Sequence, residues 1–310
     1  MKQIKFKKAF ALSIVLWIVA ALLFGIATLA SISKDTLNLS SGLKHKITTN
    51  LVAEDILESL KFYFLTADYG NQAFMNDNLN DFVYKFPSKI ILDNRWYTIS
   101  KDIKFRVQDH SGLINLFHLH PDEAAFVVTS RDERQKRYIL SDSIRDWTDK
   151  NNVPSLNGAE ESTYRLKKNL DFKPRNNADI QHVQELRLVN GFDNLDEKEW
   201  QKIKKLFYFG AGSRVNLALL GPKHLSCFLK IDIDYAKSLL KLKEEDMQKF
   251  IKIISAFENY NDETMGFYIS KEVKIQIVVS SDDAKTNLVC HIDFDRLNNK
   301  LYTVFEYTNN

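Results

Sequence analysis

Asp149, Asn151, Glu160 and Glu161 lie in one short stretch bounded by Asp146 and Tyr164, and each offers a hard oxygen ligand. Calcium takes ~6–8 such oxygens from carboxylates, amide carbonyls and water, so this stretch is a candidate cation site. The same residues also suit a solvated loop with helix caps. Asp146 reads either as a ligand or as the cap of a turn, and Trp147 reads as core. His118 and His120 alternate across Leu119 with His110 nearby, and on a strand the first two share a face, as zinc ligands do. They have no cysteine close by and no helical His-Glu-x-x-His spacing, so loop or surface histidines are the simpler reading. Cys227 and Cys290 are the only cysteines in the chain. An oxidising compartment permits a disulfide between them, but spacing alone establishes no contact. No nucleophile elbow, phosphate loop or dinucleotide fingerprint occurs, and Ser213 lacks elbow spacing. The chemistry on offer is binding, not catalysis.

These groups have to be positioned, and the chain's first feature says in which compartment. Residues 9–33 carry no charge and follow Lys2, Lys5, Lys7 and Lys8. At ~1.5 Å per residue this apolar run is long enough to cross a ~30 Å hydrocarbon core as a helix. The lysines favour the cytoplasmic side, which puts everything after Lys34 outside the cytoplasm. A cleaved secretory signal has the same order of charges and a weak cleavage site ends at Ala30, but its apolar core is usually only ~7–15 residues. A formal charge of +3 is too small to argue for nucleic acid. The 310 residues leave room for two domains outside the membrane.

Beyond the membrane the helical pattern continues, with Leu39, Leu43, Ile47, Leu51, Ile56, Leu60 and Phe64 recurring at helical steps and no proline before Pro87. One long helix is expected, its second half packed on a soluble domain. An Asn/Asp-rich loop over 70–81 should follow, then strands at 89–92, 95–100 and 104–108, the first two joined as a hairpin across Asp93 and Asn94. Helices are expected at 121–133, 137–148, 179–190, 196–207, 221–228, 232–240 and 243–257, and strands again at 267–280, 287–294 and 301–307. A helical block between two groups of strands is most simply an insertion into one α+β domain.

Four stretches, in this order, resemble the minor pseudopilin K family of type II secretion. Asp109-His110-Ser111-Gly112-Leu113-Ile114-Asn115-Leu116 is similar to the family's Asp-x-x-Gly-Arg-Ile-Asn-Leu-Asn, with Leu113 replacing Arg and Phe117 the final Asn. Asp146-Trp147-Thr148-Asp149, then Gly158-Ala159-Glu160-Glu161 and Tyr164, resemble its most specific signature. Pro174, Asn176 and the run Val183 to Phe192 form the third. Ser213-Arg214-Val215-Asn216-Leu217-Ala218 is a weaker fourth. The run Leu186 to Phe192 also reads as a helix-hairpin-helix turn of the kind used on DNA backbones, but nearby Asp193, Asp196, Glu197 and Glu199 dilute its charge and favour a protein-binding bundle.

The resemblance implies an α+β pilin-like fold: a long N-terminal helix on an antiparallel sheet, with a large inserted domain of SAM-like helical bundles. It divides the chain into a basic prepilin leader (1–9), the membrane half of the helix (10–33), the first part of the pilin-like domain (34–120), the inserted block (121–258) and C-terminal strands (259–310). Lys-Lys-Ala-Phe-Ala-Leu at 7–12 resembles a prepilin cleavage site, with Ala9 where Gly is usual, which implies cleavage by prepilin peptidase before Phe10 and methylation of the new amine. Ile14 then falls where most pilins carry a Glu, an absence the K family shares, and an acidic residue in the membrane costs about 2.5–3.5 kcal/mol. The implied setting is a single pass through the inner membrane with a periplasmic domain. The implied role is non-catalytic, at the tip of the pseudopilus, with minor pseudopilins I and J, H below, and no nucleic acid. Calcium in the helical block is implied as well, and Asp149, Asn151, Glu160 and Glu161 are the ligands it suggests here. A tip subunit of a type IV pilus or DNA-uptake apparatus is the nearest alternative. A membrane-anchored hydrolase has no motif behind it.

Overall fold

A computed structural model describes residues 3–117, 119–130, 132–167, 173–210, 214–281, 283–294 and 301–309, with side chains from Ser13 onward except those of 81, 167, 305, 306 and 309. The readings on His118 and Ser213, and on the side chains of Ala9 and Phe10, lie outside these described residues.

Helix α1 runs Gln3–Thr66 without a break. Its membrane-length apolar half is unpacked, with Ile14 45% exposed, and is a candidate membrane anchor. Farther on, Ala53, Ile56, Leu57, Leu60, Tyr63 and Phe64 are buried at helical spacing against the sheet. Each such large apolar side chain contributes on the order of 1.5–3 kcal/mol. The helix ends where Asn76 Nδ2 reaches back to Thr66 Oγ1 at 3.0 Å and to the Tyr63 carbonyl at 3.5 Å. That occupies one of the carbonyls that a helix C-terminus leaves open.

Strands β1 (Asp68–Tyr69), β2 (Ala73–Met75) and β3 (Lys89–Ile91) make a small antiparallel sheet. β4 (Asp93–Ser100) and β5 (Ile103–Asp109) follow, and the expected hairpin across Asp93 and Asn94 does not form. β3 pairs with β2, and the turn lies instead between Ser100 and Ile103. Asn94, at φ +69°, sits in a bulge at the start of β4, a conformation that asparagine tolerates better than most residues. The expected 70–81 loop contains β2, too short to announce itself by periodicity.

The principal sheet has the order β12-β11-β10-β5-β4, where β10 is Glu272–Ser280, β11 is Lys285–Asp293 and β12 is Thr303–Asn309. Phe105, Val107, Val273, Ile275, Ile277, Leu288, Cys290 and Ile292 alternate inward onto α1. On the other face Arg106 donates to Gln276 Oε1 and Gln276 to Asn287 Oδ1, and Trp96 lies under Lys104 and Arg106 at 4.7 and 4.6 Å. β5 and β10 are antiparallel neighbours, Asp109 opposite Val273, although all the helices but α1 lie between them in the chain.

That interposed block has two cores. One lobe starts at β6 (Ile114–Asn115) and closes at β7 (Phe207–Tyr208), which pairs with it in parallel. It contains α2 (Pro121–Val128), α3 (Arg134–Thr148) and α4 (Glu197–Ile203), packed around Leu140, Ile144, Trp147, Tyr164, Phe192 and Trp200. The second lobe is closed in the same way by β8 (Val215–Asn216) and β9 (Met265–Gly266). It holds α5 (Pro222–Leu229), α6 (Ile233–Glu245) and α7 (Met247–Ile254) around Leu225, Leu239, Phe250 and Phe267. The 179–190 helix is only a 3-10 turn, Val183–Leu188.

Cys227 and Cys290 are free thiols, not the disulfide that an oxidising compartment would permit. Cys290 belongs to the core under α1 near Lys61 and Glu58, whereas Cys227 lies on α5 near Glu123 and Arg137. Burial raises both thiols, to about 12 and about 11.

Candidate metal centre

The last turn of α3 and the loop after it assemble the site. Asp146 faces the lobe's core, and Asp149, three residues on and so on the same helical face, is the C-cap in extended conformation. One carboxylate oxygen each of Asp146, Asp149 and Glu160 lie within 4.8 Å of one another. They gather at the C-terminal end of α3, the negative end of its dipole, which disfavours anions and favours a cation.

Loop contacts hold two of the three acids. Asp146 accepts from the Ser155 amide and, at 2.6 Å, from Ser155 Oγ. Asp149 accepts from the Asn151 amide at 3.0 Å and from its Nδ2 at 2.9 Å. Glu160 is fully buried, and neither of its carboxylate oxygens has a hydrogen-bond partner. Burial, then repulsion from Asp146 and Asp149, raises its carboxyl to about 7. Burial raises Asp146 as well. Three acids crowded at a helix C-terminus, one of them with both oxygens idle, fit a cation that satisfies them. An all-oxygen donor set fits calcium in particular.

Of the residues read as ligands, Asp149 and Glu160 come together and Asp146 completes the group. Asn151 positions Asp149, while its own Oδ1 accepts from the Val153 amide at 2.8 Å. Glu161 points away and pairs with Arg165 at 3.1 Å. Gly158 is required where it stands: a Cβ there would lie 1.9 Å from Asp146 Oδ2. His110 is buried against Tyr208 and Glu272, and His120 precedes α2, both apart from this cluster.

The remaining motif residues support the lobe. The amides of Arg175 and Asn177 cap the carbonyls of Trp147 and Thr148 at 2.7 and 2.9 Å, helped by left-handed backbone at Asn176 and Asn177. Trp147 donates to Glu185, which also grips Arg175. Tyr164 Oη accepts from the Asn190 amide, and Gly191, at φ +92°, lies against Leu140.

Residues 126–205 match the family described as type II secretion system protein K, first part. That span covers the end of α2, α3, the three-acid cluster and α4. The fold is similar to a chain in the crystal structure of the GspK-GspI-GspJ complex from the type 2 secretion system of enterotoxigenic Escherichia coli, with TM-score 0.54 and 13% identity, covering 90% of this chain and 99% of that one. No curated protein matches the sequence.

Proposed function

We propose, from the match of residues 126–205 to type II secretion system protein K and the likeness in fold to a chain of the GspK-GspI-GspJ complex, that this chain is a minor pseudopilin of K type, a non-catalytic subunit at the tip of a periplasmic pseudopilus, where it starts assembly and supports export across the outer membrane. The observation that carries this reading is on α1. Leu39, Leu43, Ile47 and Leu51 form an i, i+4 stripe, each 57–66% exposed, just beyond the apolar membrane segment. The buried face, from Thr49 through Ile56 to Tyr63, points elsewhere around the helix. Such a stripe is where a second long helix packs, and the similar solved chain is in a complex with GspI and GspJ. Counterparts of those two are the expected partners, with H below.

On this reading α1 is a single pass through the inner membrane, N-terminus cytoplasmic, and prepilin peptidase cleaves between Ala9 and Phe10 before the new amine is methylated. Ile14 leaves the subunit without the acid that aligns a shaft subunit on its neighbour, and the two-lobed block is too bulky to repeat along a filament. Both features suit a starting position. Calcium held by Asp146, Asp149 and Glu160 neutralises the cluster and fixes the loop of the first lobe.

The test is a charged stripe. Leu43→Asp with Ile47→Asp should leave membrane insertion and folding of the soluble part unchanged and abolish both co-purification with the I and J subunits and secretion. Retained complex and normal secretion sink the role. The mature N-terminus should start at Phe10 by mass spectrometry.

A further inference from the structure

Past the apolar stripe, the exposed face of α1 changes character. Leu51, Glu54, Asp55, Glu58 and Phe62 stand at i, i+3, i+4, i+7 and i+11, one face of the helix, and all five are exposed. The stripe therefore runs on from Leu51 into three carboxylates. It ends at Phe62, 50% exposed, whose ring centroid lies 5.4 Å from that of Phe82.

Neutral groups hold two of these acids. Tyr307 Oη donates to Glu54 Oε1 at 3.1 Å, and Tyr84 Oη to Asp55 Oδ2 at 2.7 Å. A phenol fixes a carboxylate in place without cancelling its charge, and neither acid has an ion-pair partner among the described residues. Glu58 pairs with Lys61 at 2.6 Å, so three acids share one lysine. Closer to the membrane segment the sign is reversed. Lys44 is exposed beside Leu43 and Ile47, while Lys46 turns to the sheet and donates to the Lys285 carbonyl. Outward from the membrane segment, the ridge is first apolar with one cation and then acidic.

We propose that this ridge takes one parallel partner helix in one register, and that the partner carries Lys or Arg opposite Glu54, Asp55 and Glu58. The inference rests on the pseudopilin reading and names the chemistry of its helical contact. The stripe begins just beyond the apolar segment, so a helix lying on it leaves the same bilayer and runs in the same direction. At ~1.5 Å per residue the acids stand about 32–38 Å past the end of that segment at residue 33. The partner's cations should then fall about 21–25 residues after its own membrane segment. Apolar residues alone let two helices slip by a turn, whereas flanking charges fix register and partner, as they do in coiled coils. A second copy does not fit, because a parallel α1 sets these acids against their own counterparts, and like charges facing each other suppress a partner.

The experiment uses the full-length chain and the full-length counterparts of the I and J subunits, purified in detergent micelles. Each counterpart is fluorescently labelled and titrated in turn by thermophoresis. Affinity for the one that binds should fall about fivefold between 0.1 and 0.5 M NaCl, since salt screens exposed charges. Glu54→Lys with Asp55→Lys and Glu58→Lys should cut affinity about tenfold at the lower salt. Glu54→Gln with Asp55→Asn and Glu58→Gln keeps acceptors for both phenols and should cut it about threefold. Changing the partner's Lys and Arg residues in the 21–25 window to Glu should weaken binding to the parent and restore binding to the triple-lysine variant, a rescue that a misfolded α1 would not give. Equal, salt-independent binding by the parent and the triple-lysine variant overturns the charged register and leaves the pseudopilin reading standing. Absence of binding by the parent to either counterpart overturns both. Self-association of the parent that the triple-lysine variant loses assigns the acids to a second copy and overturns the proposal as well.

Discussion

Asp109 and Ser270 are bonded twice across 161 positions of chain, Ser270 Oγ donating to Oδ1 at 2.6 Å and the Ser270 amide to Oδ2 at 2.9 Å. Ser111 adds its amide and hydroxyl to Oδ1 at 2.7 and 2.6 Å. Asp109 is the last residue of β5, and Ser270 lies just before β10, so this one buried carboxylate joins the points where the chain leaves the sheet and returns to it. Gly112 is held beside it, with no room for a Cβ against Leu219. The two-lobed block thus hangs from the sheet at a rigid joint rather than on a pair of loose linkers.

Asp109→Ala should therefore cost about 3 kcal/mol or more, because it strands several buried donors at once. Chemical denaturation of the full chain in micelles measures the loss. Proteolysis should then cut first at the two crossings, near 110 and 270, while each lobe survives. A variant as stable as the parent would show that the joint carries little.

Gly158→Ala tests the geometry of the acidic cluster without removing a ligand. A methyl at this position must displace Asp146 Oδ2, so calcium affinity should fall at least tenfold by titration calorimetry. Lobe stability should drop by about 1–3 kcal/mol, as for overpacked cores. Unchanged affinity would mean that Asp146 does not ligate.

Local pattern carried much of this fold. The four- to five-residue spacing from Leu39 to Phe64 gives the long helix, and the alternation of Val273, Ile275 and Ile277 gives a strand. Non-local pairing was not legible. Nothing near Asp93 and Asn94 shows that β3 turns to β2, because the bulge at Asn94 mimics a hairpin turn. At the metal centre the oxygen-rich stretch was visible, but the ligands were sorted by fold: helical phase selects Asp146 with Asp149, while Glu161 leaves to pair with Arg165. The sign that separates Asp146 from an ordinary turn cap is Gly158, whose missing side chain matters only once the loop has folded back.

Cys227 and Cys290 should react only when the protein unfolds. Burial holds both thiols protonated at neutral pH, and a protonated thiol is a poor nucleophile. Iodoacetamide should leave the native chain unmodified over an hour at pH 7.5. After denaturation without reductant, mass spectrometry should find both alkylated. A chain that takes up label only after reduction has a disulfide, which would require the α5 lobe and the sheet to lie differently.

Glu160 sets the pH response of the first lobe. An unfolded glutamate titrates near ~4.3, and burial beside Asp146 and Asp149 moves Glu160 to about 7 in the folded, metal-free protein. Because the folded pKa is the higher one, the native state binds the proton more tightly than the unfolded chain. Its stabilising contribution is full below ~4.3 and is lost as pH rises toward 7. The raised Asp146 carboxyl acts in the same direction. Calcium needs the ionised carboxylates, so it should raise Tm little at pH 5 and progressively more up to pH 8. Glu160→Gln removes the buried charge. Its metal-free Tm should fall less between pH 5 and 8 than that of the parent, and calcium should no longer raise it. Scanning calorimetry of both proteins with and without 1 mM calcium, on the order of the extracellular range, reads all four curves. A calcium effect of equal size at pH 5 and 8, or one that persists in Glu160→Gln, would remove the cation from this cluster.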